Sequence, residues 1–313
     1  MMKTLFMGTP AFAVPSLTSI YESGHEVVGV VTVPDKRVGR GLKIKPSPVK
    51  QKALEFNLPL FQPVDLGDSE FIRGIRRLNP EVFVVVAFRI LPPEVFELPP
   101  KGTINLHSSL LPKYRGAAPI NWAIINGEKE TGVTTILIQQ KVDTGDIVLQ
   151  KRVPLGDDET AGELHDKLAN LGAELLLRSL NLMAAGNASP KIQTGEATKA
   201  PKLTKELGHI NWHAPSEEIR NLIRGLNPYP GAYTFLNGKL LKLFRTELTN
   251  KSGNPSPPGE IIRVDPKSGL IEITTGSGNL QITELQPEGK RRMTATEYLK
   301  GYPLKAGDKF GPK

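Results

Sequence analysis

Val82-Phe83-Val84-Val85-Val86-Ala87-Phe88 runs without a single polar or charged side chain. A strand with one wet face alternates apolar and polar residues. An unbroken β-branched and aromatic run suits a strand covered on both faces of a parallel sheet. Val27 to Val33 has the same character, and Leu5-Phe6-Met7 runs into the turn Gly8-Thr9-Pro10. Between these runs lie helical signals. Val14 to Ser23 reads as a helix stopped by Gly24, and Ser47-Pro48 is an N-cap followed by a proline suited to the first helical position. That second helix is expected to run to about Phe56. Downstream, Thr103 to His107, Gly132 to Ile138 and Ile147 to Val153 read as strands. Thr160 opens a long helix with Leu164, Leu168, Leu171, Leu175 and Leu176 on one face, ending near Ala185-Gly186. Strands alternating with helices predict an α/β domain built on a Rossmann-like, mostly parallel sheet.

The pattern changes after Gly186. Residues 186–205 are rich in Gly, Ala, Pro, Thr and Lys and read as a linker. One helix follows, from Pro215 to Arg224. Five short strands then come between Asn-Gly, Ser-Gly and Pro-Gly turns, at 232–236, 240–248, 259–264, 270–275 and 279–285. Closely spaced short strands predict a small OB-like β-barrel. The expected organisation is an α/β domain over 1–188, a linker over 189–206 and the barrel domain over 207–313.

The 313 residues are 39 % hydrophobic and 23 % charged, ample for more than one core. No apolar run reaches the ~18 residues of a membrane span, and the N-terminus breaks before a secretory apolar segment develops. A cytoplasmic protein is expected, and with no long apolar heptad pattern, a monomer. Zero cysteines exclude disulfides, thiolate metal sites and thiol nucleophiles. Forty basic against 32 acidic residues give +8, a balance that favours a polyanion such as nucleic acid. The excess is spread, since the chain from Glu206 onward holds 15 basic and 11 acidic residues. Gly8-Thr9-Pro10-Ala11-Phe12 lacks the second and third glycines of a dinucleotide loop, and no P-loop occurs, so neither NAD nor ATP is expected.

Chemistry concentrates after the strand at 103–107. Asn105 and His107 lie two apart and share a face of that strand. The carboxyl ends of parallel strands meet the ligand crevice. There an amide can hold an oxyanion and an imidazole can manage a proton. Taken alone, the pair fits a hydrogen-bonded core histidine at least as well. Asp143, in Val142-Asp143-Thr144-Gly145-Asp146, sits in another strand-end loop; it could pair with the imidazole or simply form an Asx turn.

In combination these residues are more specific. Asn105-x-His107, Ser109-Leu110-Leu111-Pro112-Lys113-Tyr114-Arg115-Gly116-Ala117-Ala118-Pro119 and Asp143-Thr144-Gly145-Asp146 resemble the formyltransferases that use 10-formyltetrahydrofolate. Pro34 to Lys50 resembles the tRNA-contacting loop of the members acting on methionyl-tRNA. Leu226-Asn227-Pro228-Tyr229-Pro230-Gly231-Ala232 is close to their N-P-W/Y-P stretch. The resemblance covers essentially the whole chain. Two departures stand out. Ala87-Phe88-Arg89-Ile90-Leu91-Pro92 replaces an Ala-Tyr-Gly before Ile-Leu-Pro, and is similar there to the glycinamide ribonucleotide formyltransferases. Ile210-Asn211-Trp212 replaces a common Ile-Asp-Trp.

The resemblance implies transfer of a formyl group from N10 of the folate cosubstrate to the α-amine of initiator methionyl-tRNA, with no metal. It implies a catalytic set of Asn105 as oxyanion donor, His107 as proton manager and Asp143 as its partner. Folate would lie against the main chain of Ser109, Leu110, Leu111 and Pro112 and against the loop Phe88, Arg89, Ile90 and Leu91. Arg40, Lys43 and Lys45 would meet the tRNA, aided by Lys36, Arg37 and Lys50, with Asp35 the one acid among them. Competing expectations are the same chemistry on an amino sugar nucleotide, a purine-pathway formyltransferase, and an inactive RNA-binding module. The basic loop and the C-terminal barrel weigh against the first two, and the intact Asn105, His107 and Asp143 against the third.

Overall fold

A computed structural model describes residues 1–38, 43–249 and 256–311. The chain divides into two compact units. One comprises Met1–Pro119, Glu130–Pro154 and His165–Ala200; the other comprises Ile120–Lys129, Leu155–Leu164 and Pro201–Lys313.

The first unit is built on strands β1 (Lys3–Gly8), β2 (Glu26–Val31), β3 (Lys36–Val38), β4 (Lys43–Lys45), β5 (Leu60–Phe61), β6 (Val82–Val86), β7 (Thr103–His107), β8 (Arg115–Gly116), β9 (Glu130–Leu137), β10 (Ile147–Pro154) and β11 (Lys199–Ala200). The main sheet has the order β10-β9-β7-β6-β1-β2-β5. Its five strands from β7 to β5 are parallel, and β9 and β10 add on antiparallel. The chain builds outward from β1 to β2 and β5, then returns to place β6 and β7 on the other side. This reversal opens a crevice beyond the carboxyl ends of β1 and β6. All five residues of β6 are buried, as an unbroken apolar run requires. The strand ends at Val86, two residues short of the apolar run, because Ala87 turns into the left-handed region at φ +48°.

Helix α1 (Val14–Tyr21) precedes β2, and α2 (Pro48–Glu55) starts at Ser47, whose hydroxyl accepts from the Lys50 N–H at 3.0 Å. Helix α3 (Ser69–Arg77) lies outside the sequence expectations. Asp68 caps it through the N–H groups of Glu70 and Phe71, and it buries Phe71 and Ile75, one turn apart, in the core with Leu5, Phe83 and Val95. Two short helices, α4 (Pro93–Phe96) and α5 (Pro119–Ile125), were likewise not expected. The long helix α6 (Ala161–Ala184) begins where Thr160 marks it. Thr160 and Glu163 form a reciprocal cap: the Thr160 N–H donates to the Glu163 carboxylate at 2.8 Å and the Glu163 N–H to the Thr160 hydroxyl at 3.3 Å.

The second unit carries α7 (Ser216–Gly225) and strands β12 (Ala232–Leu236), β13 (Lys239–Thr249), β14 (Ile261–Asp265), β15 (Leu270–Thr274), β16 (Asn279–Pro287), β17 (Met293–Thr294) and β18 (Phe310–Gly311), with α8 (Ala295–Gly301) before the last. The antiparallel order is β14-β15-β16-β13-β12-β18, with β17 on β16. Register shifts in β13 around Arg245 help the sheet to curl. Its two edges are bridged by the chain just before β18: the Ile261 N–H donates to Asp308, and the Gly307 and Phe310 N–H groups to Ile261 and Gly259. Inside lie Trp212, Ile223, Leu243, Ile271, Ile282 and Phe310. Trp212 stacks on Phe310 with centroids 5.5 Å apart, and its indole N–H reaches the Thr234 hydroxyl at 3.0 Å. Asn211, where an aspartate is common, still accepts from the His213 N–H at 3.1 Å, so the amide serves this turn as a carboxylate would.

Candidate active site

β7 delivers Asn105 and His107 to the carboxyl end of the sheet. Register places Asn105 between Val85 of β6 and Ile136 of β9, and His107 opposite Thr134. His107 is buried, at 6 % exposure. Its Nε2 lies 3.0 Å from the Tyr114 carbonyl oxygen. A carbonyl only accepts, so Nε2 carries the proton. Nδ1 therefore faces Asp143, 3.6 Å from its Oδ1. A neutral imidazole in this tautomer turns a lone pair toward a carboxylate, and the gap between them can take up one proton. Asn105 is half-buried, and no hydrogen bond within the described residues engages its carboxamide.

Asp143 is held as tightly as the histidine. Its Oδ2 accepts from the Gly116 N–H at 2.9 Å, and its backbone is left-handed at φ +56°. Gly145 follows two residues on, where a Cβ would overlap the Leu137 carbonyl, so the loop closes this tightly only with glycine. Gly116 sits at φ +128°, where a Cβ would lie 2.6 Å from the Ala200 oxygen. The glycines of both motifs thus bring the Gly116 N–H and the Asp143 carboxylate together.

A residue that sequence reasoning passed over completes this arrangement. Gln193 donates from Nε2 to the carbonyls of Asp143 at 2.9 Å and Gly145 at 2.8 Å. Its Oε1 accepts from Arg115 at 2.6 Å and 3.2 Å. The same stretch pairs Lys191 with Ile147, and Lys199 and Ala200 with Arg115 and Gly116. Gln193 stands among small and polar residues with no periodicity. The one available sign was a long-stemmed amide in a stretch otherwise suited to a linker.

The folate candidates divide by burial. Ser109 and Leu111 are buried, at 0 and 3 % exposure. The Ser109 carbonyl accepts from Thr134, the Leu110 carbonyl from the Lys113 N–H, and the Leu111 carbonyl from Gln150, while the Leu111 N–H donates to Thr134. These main-chain groups already have partners, so they shape the loop beyond β7, leaving Leu110 and Pro112 half-buried at its surface. In the other segment Leu91 is buried and Ile90 is 75 % exposed. Arg89 clamps that loop to its neighbour, donating to the carbonyls of Pro63 at 2.7 Å and Val64 at 2.8 Å.

Of the tRNA candidates, Arg40 lies outside the described residues. Lys43 and Lys45 belong to β4, which pairs with β3 as a hairpin. Lys45 is exposed and stands opposite exposed Lys36. Lys50 is already engaged by Asp35 at 2.7 Å and Gln62 at 2.9 Å. Its hydrogen bond, followed by that of Gln62, holds the Asp35 carboxyl below the usual carboxylate range. Among the described residues no group of three His, Asp or Glu is placed to hold a metal ion, and no helix is long and apolar enough to cross a membrane.

Residues 2–180 match the family described as formyl transferase, and residues 202–303 match the formyl transferase C-terminal domain. A methionyl-tRNA formyltransferase of Caldanaerobacter subterraneus subsp. tengcongensis is 51 % identical over 98 % of this chain and 99 % of its own. One from Clostridioides difficile is 49 % identical with the same coverage. The solved structure of WlaRD, a sugar 3N-formyl transferase in the presence of dTDP and 5-N-formyl-THF, superposes with a TM-score of 0.67 over 93 % of this chain and 99 % of its own. At 22 % identity that likeness concerns the fold. The two family matches cover both units in order, and relatives of one description align from end to end at about half identity. On that basis the chain belongs to the methionyl-tRNA formyltransferase family.

Proposed function

We propose that this protein transfers the formyl group of 10-formyltetrahydrofolate to the α-amine of initiator methionyl-tRNA, with residues 1–188 carrying the chemistry and 207–313 binding tRNA. One observation carries the catalytic reading: a half-buried Asn105 amide, without a partner among the described residues, stands two residues before a buried histidine that faces the half-buried Asp143 carboxylate. The amine attacks the formyl carbon, a carbon–nitrogen bond forms, and the carbonyl oxygen gains negative charge. Asn105 donates to that oxygen as the charge develops. The amine proton passes to the His107–Asp143 pair. Because Tyr114 occupies Nε2, the proton enters and leaves at the Nδ1 edge. The pair then returns a proton to N10 as the carbon–nitrogen bond to folate breaks, giving the formylated amine and tetrahydrofolate. Leu110, Pro112 and the exposed Ile90 offer the folate apolar contacts, and Arg89 fixes the loop that carries Ile90.

The hairpin of β3 and β4 supports the choice of tRNA over a small amine. Like charges directly opposite each other in a strand pair are unfavourable, and Lys36 and Lys45 are such a pair. An RNA phosphate relieves that repulsion. Arg40, between the two strands in sequence, would enter a groove or stack on a base. The test offers purified protein labelled 10-formyltetrahydrofolate with either methionyl-tRNA or an amino sugar nucleotide. Label on methionyl-tRNA alone is expected; transfer only to the sugar would overturn the assignment. Within the same assay, Arg40→Lys should fall short of wild type on methionyl-tRNA, because a lysine keeps the charge without the planar fork.

A further inference from the structure

A pocket of about 190 Å³ opens within the second unit, between the segment at 158–160, helix α7 and strands β13 and β16. It is smaller than the roughly 300–1,000 Å³ that hold drug-sized ligands. Three guanidinium groups line it, from Arg220, Arg224 and Arg245. Arg220 is paired with Asp158, and Arg245 with Glu163 and Glu284. Arg224 differs from both. It is buried, at 7 % exposure, and bonds only neutral acceptors: Asn221 at 2.9 Å and the carbonyls of Gly156 and Glu159, each at 3.2 Å. No carboxylate among the described residues forms an ion pair with it, and its Nη2 makes no hydrogen bond there.

A second unused group lines the same pocket. Thr246 is 7 % exposed, and its hydroxyl is buried without any hydrogen-bond partner. A buried hydroxyl left unpaired is costly, and so is a buried guanidinium that no carboxylate pairs directly. Burial, and then the charge of Arg220, lower the Arg224 pKa, while Asp157, Asp158 and Glu159 favour its charged form. The remaining acid at the rim, Glu247, is exposed. Two unpartnered donor atoms, the cationic Arg224 Nη2 and the neutral Thr246 hydroxyl, thus belong to side chains that line one small cavity.

We infer that this pocket is a binding subsite for a phosphate group, held by Nη2 of Arg224 and by the Thr246 hydroxyl. A tetrahedral oxyanion accepts from both at once, and its bond from the guanidinium is charge-assisted. The natural source is either an RNA backbone phosphate or a free phosphate-bearing metabolite. Only the first of these rests on the formyl-transfer reading.

The full-length protein is titrated calorimetrically with inorganic phosphate, with chloride matched for ionic strength. Wild type, Thr246→Val and Arg224→Lys are compared. Saturable binding is expected for wild type and about tenfold weaker binding for Thr246→Val. Thr246→Val removes an unpartnered hydroxyl and should melt no lower than wild type, so the test survives even if Arg224→Lys fails to fold. Absence of saturable binding to wild type, or equal binding by wild type and Thr246→Val, would overturn the subsite. A parallel measurement of methionyl-tRNA affinity separates the sources. A loss in Thr246→Val assigns the site to the RNA backbone; an unchanged affinity alongside weakened phosphate binding assigns it to a free phosphate-bearing ligand. Neither readout depends on formyl transfer, so failure of the subsite and failure of the proposed reaction are distinct outcomes.

Discussion

Gln193 lies fifty residues from Asp143 and still fixes its loop. Its amide fixes the carbonyls of Asp143 and Gly145, and so holds Asp143 in the left-handed conformation that aims its carboxylate at His107. Gln193→Ala is expected to lower kcat by roughly 10–100-fold, because small misplacements of a catalytic group cost that much. KM for folate should stay within a few-fold. Steady-state kinetics in both substrates checks this, since general loosening of the unit would raise KM as well. The proposed catalytic residues were named from the sequence. Asn105 and His107 follow from strand alternation, and Asp143 from the D-x-G-D loop. Gln193 was not, because its partners are backbone carbonyls fifty residues away and it belongs to no periodic element. The occupation of His107 Nε2 by Tyr114 was equally hidden, since it depends on how the chain returns after β7.

Elements with strong local signals formed where the sequence places them. The unbroken valine run became β6, the Ser47-Pro48 cap began α2, and Thr160 began α6. Helix α3 escaped notice because it buries only Phe71 and Ile75 fully, set among charged residues, and its start depends on the Asp68 cap. The α6 cap yields a pH-dependent outcome. The Thr160 N–H, together with the Thr160 hydroxyl and Arg245, lowers the Glu163 pKa below its ordinary value. A lowered folded-state pKa contributes stability that is fully present above the unfolded value near ~4.3 and is lost as pH falls through the folded one. Glu163→Gln is therefore expected to cost about 1 kcal/mol at pH 7. The deficit should shrink as the pH is lowered below about 4, because wild type then loses the same charge. Urea unfolding of both proteins at pH 7 and pH 3.5 measures it, and an equal deficit at both would show that the charge contributes nothing.

On the scale of the whole molecule, composition indicated two cores and a polyanionic partner, and the structure has two units, each with its own buried cluster. The fold class was legible because β-branched runs and turn-punctuated short strands differ in kind. The bridging of the curled sheet by residues 307–310 was not, since Gly307-Asp308-Lys309-Phe310 carries no strand pattern of its own. Charge distribution makes an expectation for tRNA. Replacing Lys36 and Lys45 by Gln should flatten the dependence of log affinity on log salt by roughly two phosphate contacts. A slope equal to wild type across a salt series would remove the hairpin from the interface. Asn105 and the His107–Asp143 pair are the proposed machinery of formyl transfer to methionyl-tRNA. Single-turnover transfer of labelled formyl from 10-formyltetrahydrofolate, by wild type and by Asn105→Ala, tests it most directly. Loss of one oxyanion donor should slow transfer by about 10²–10³ with folate affinity changed little; transfer by Asn105→Ala at the wild-type rate would contradict the account.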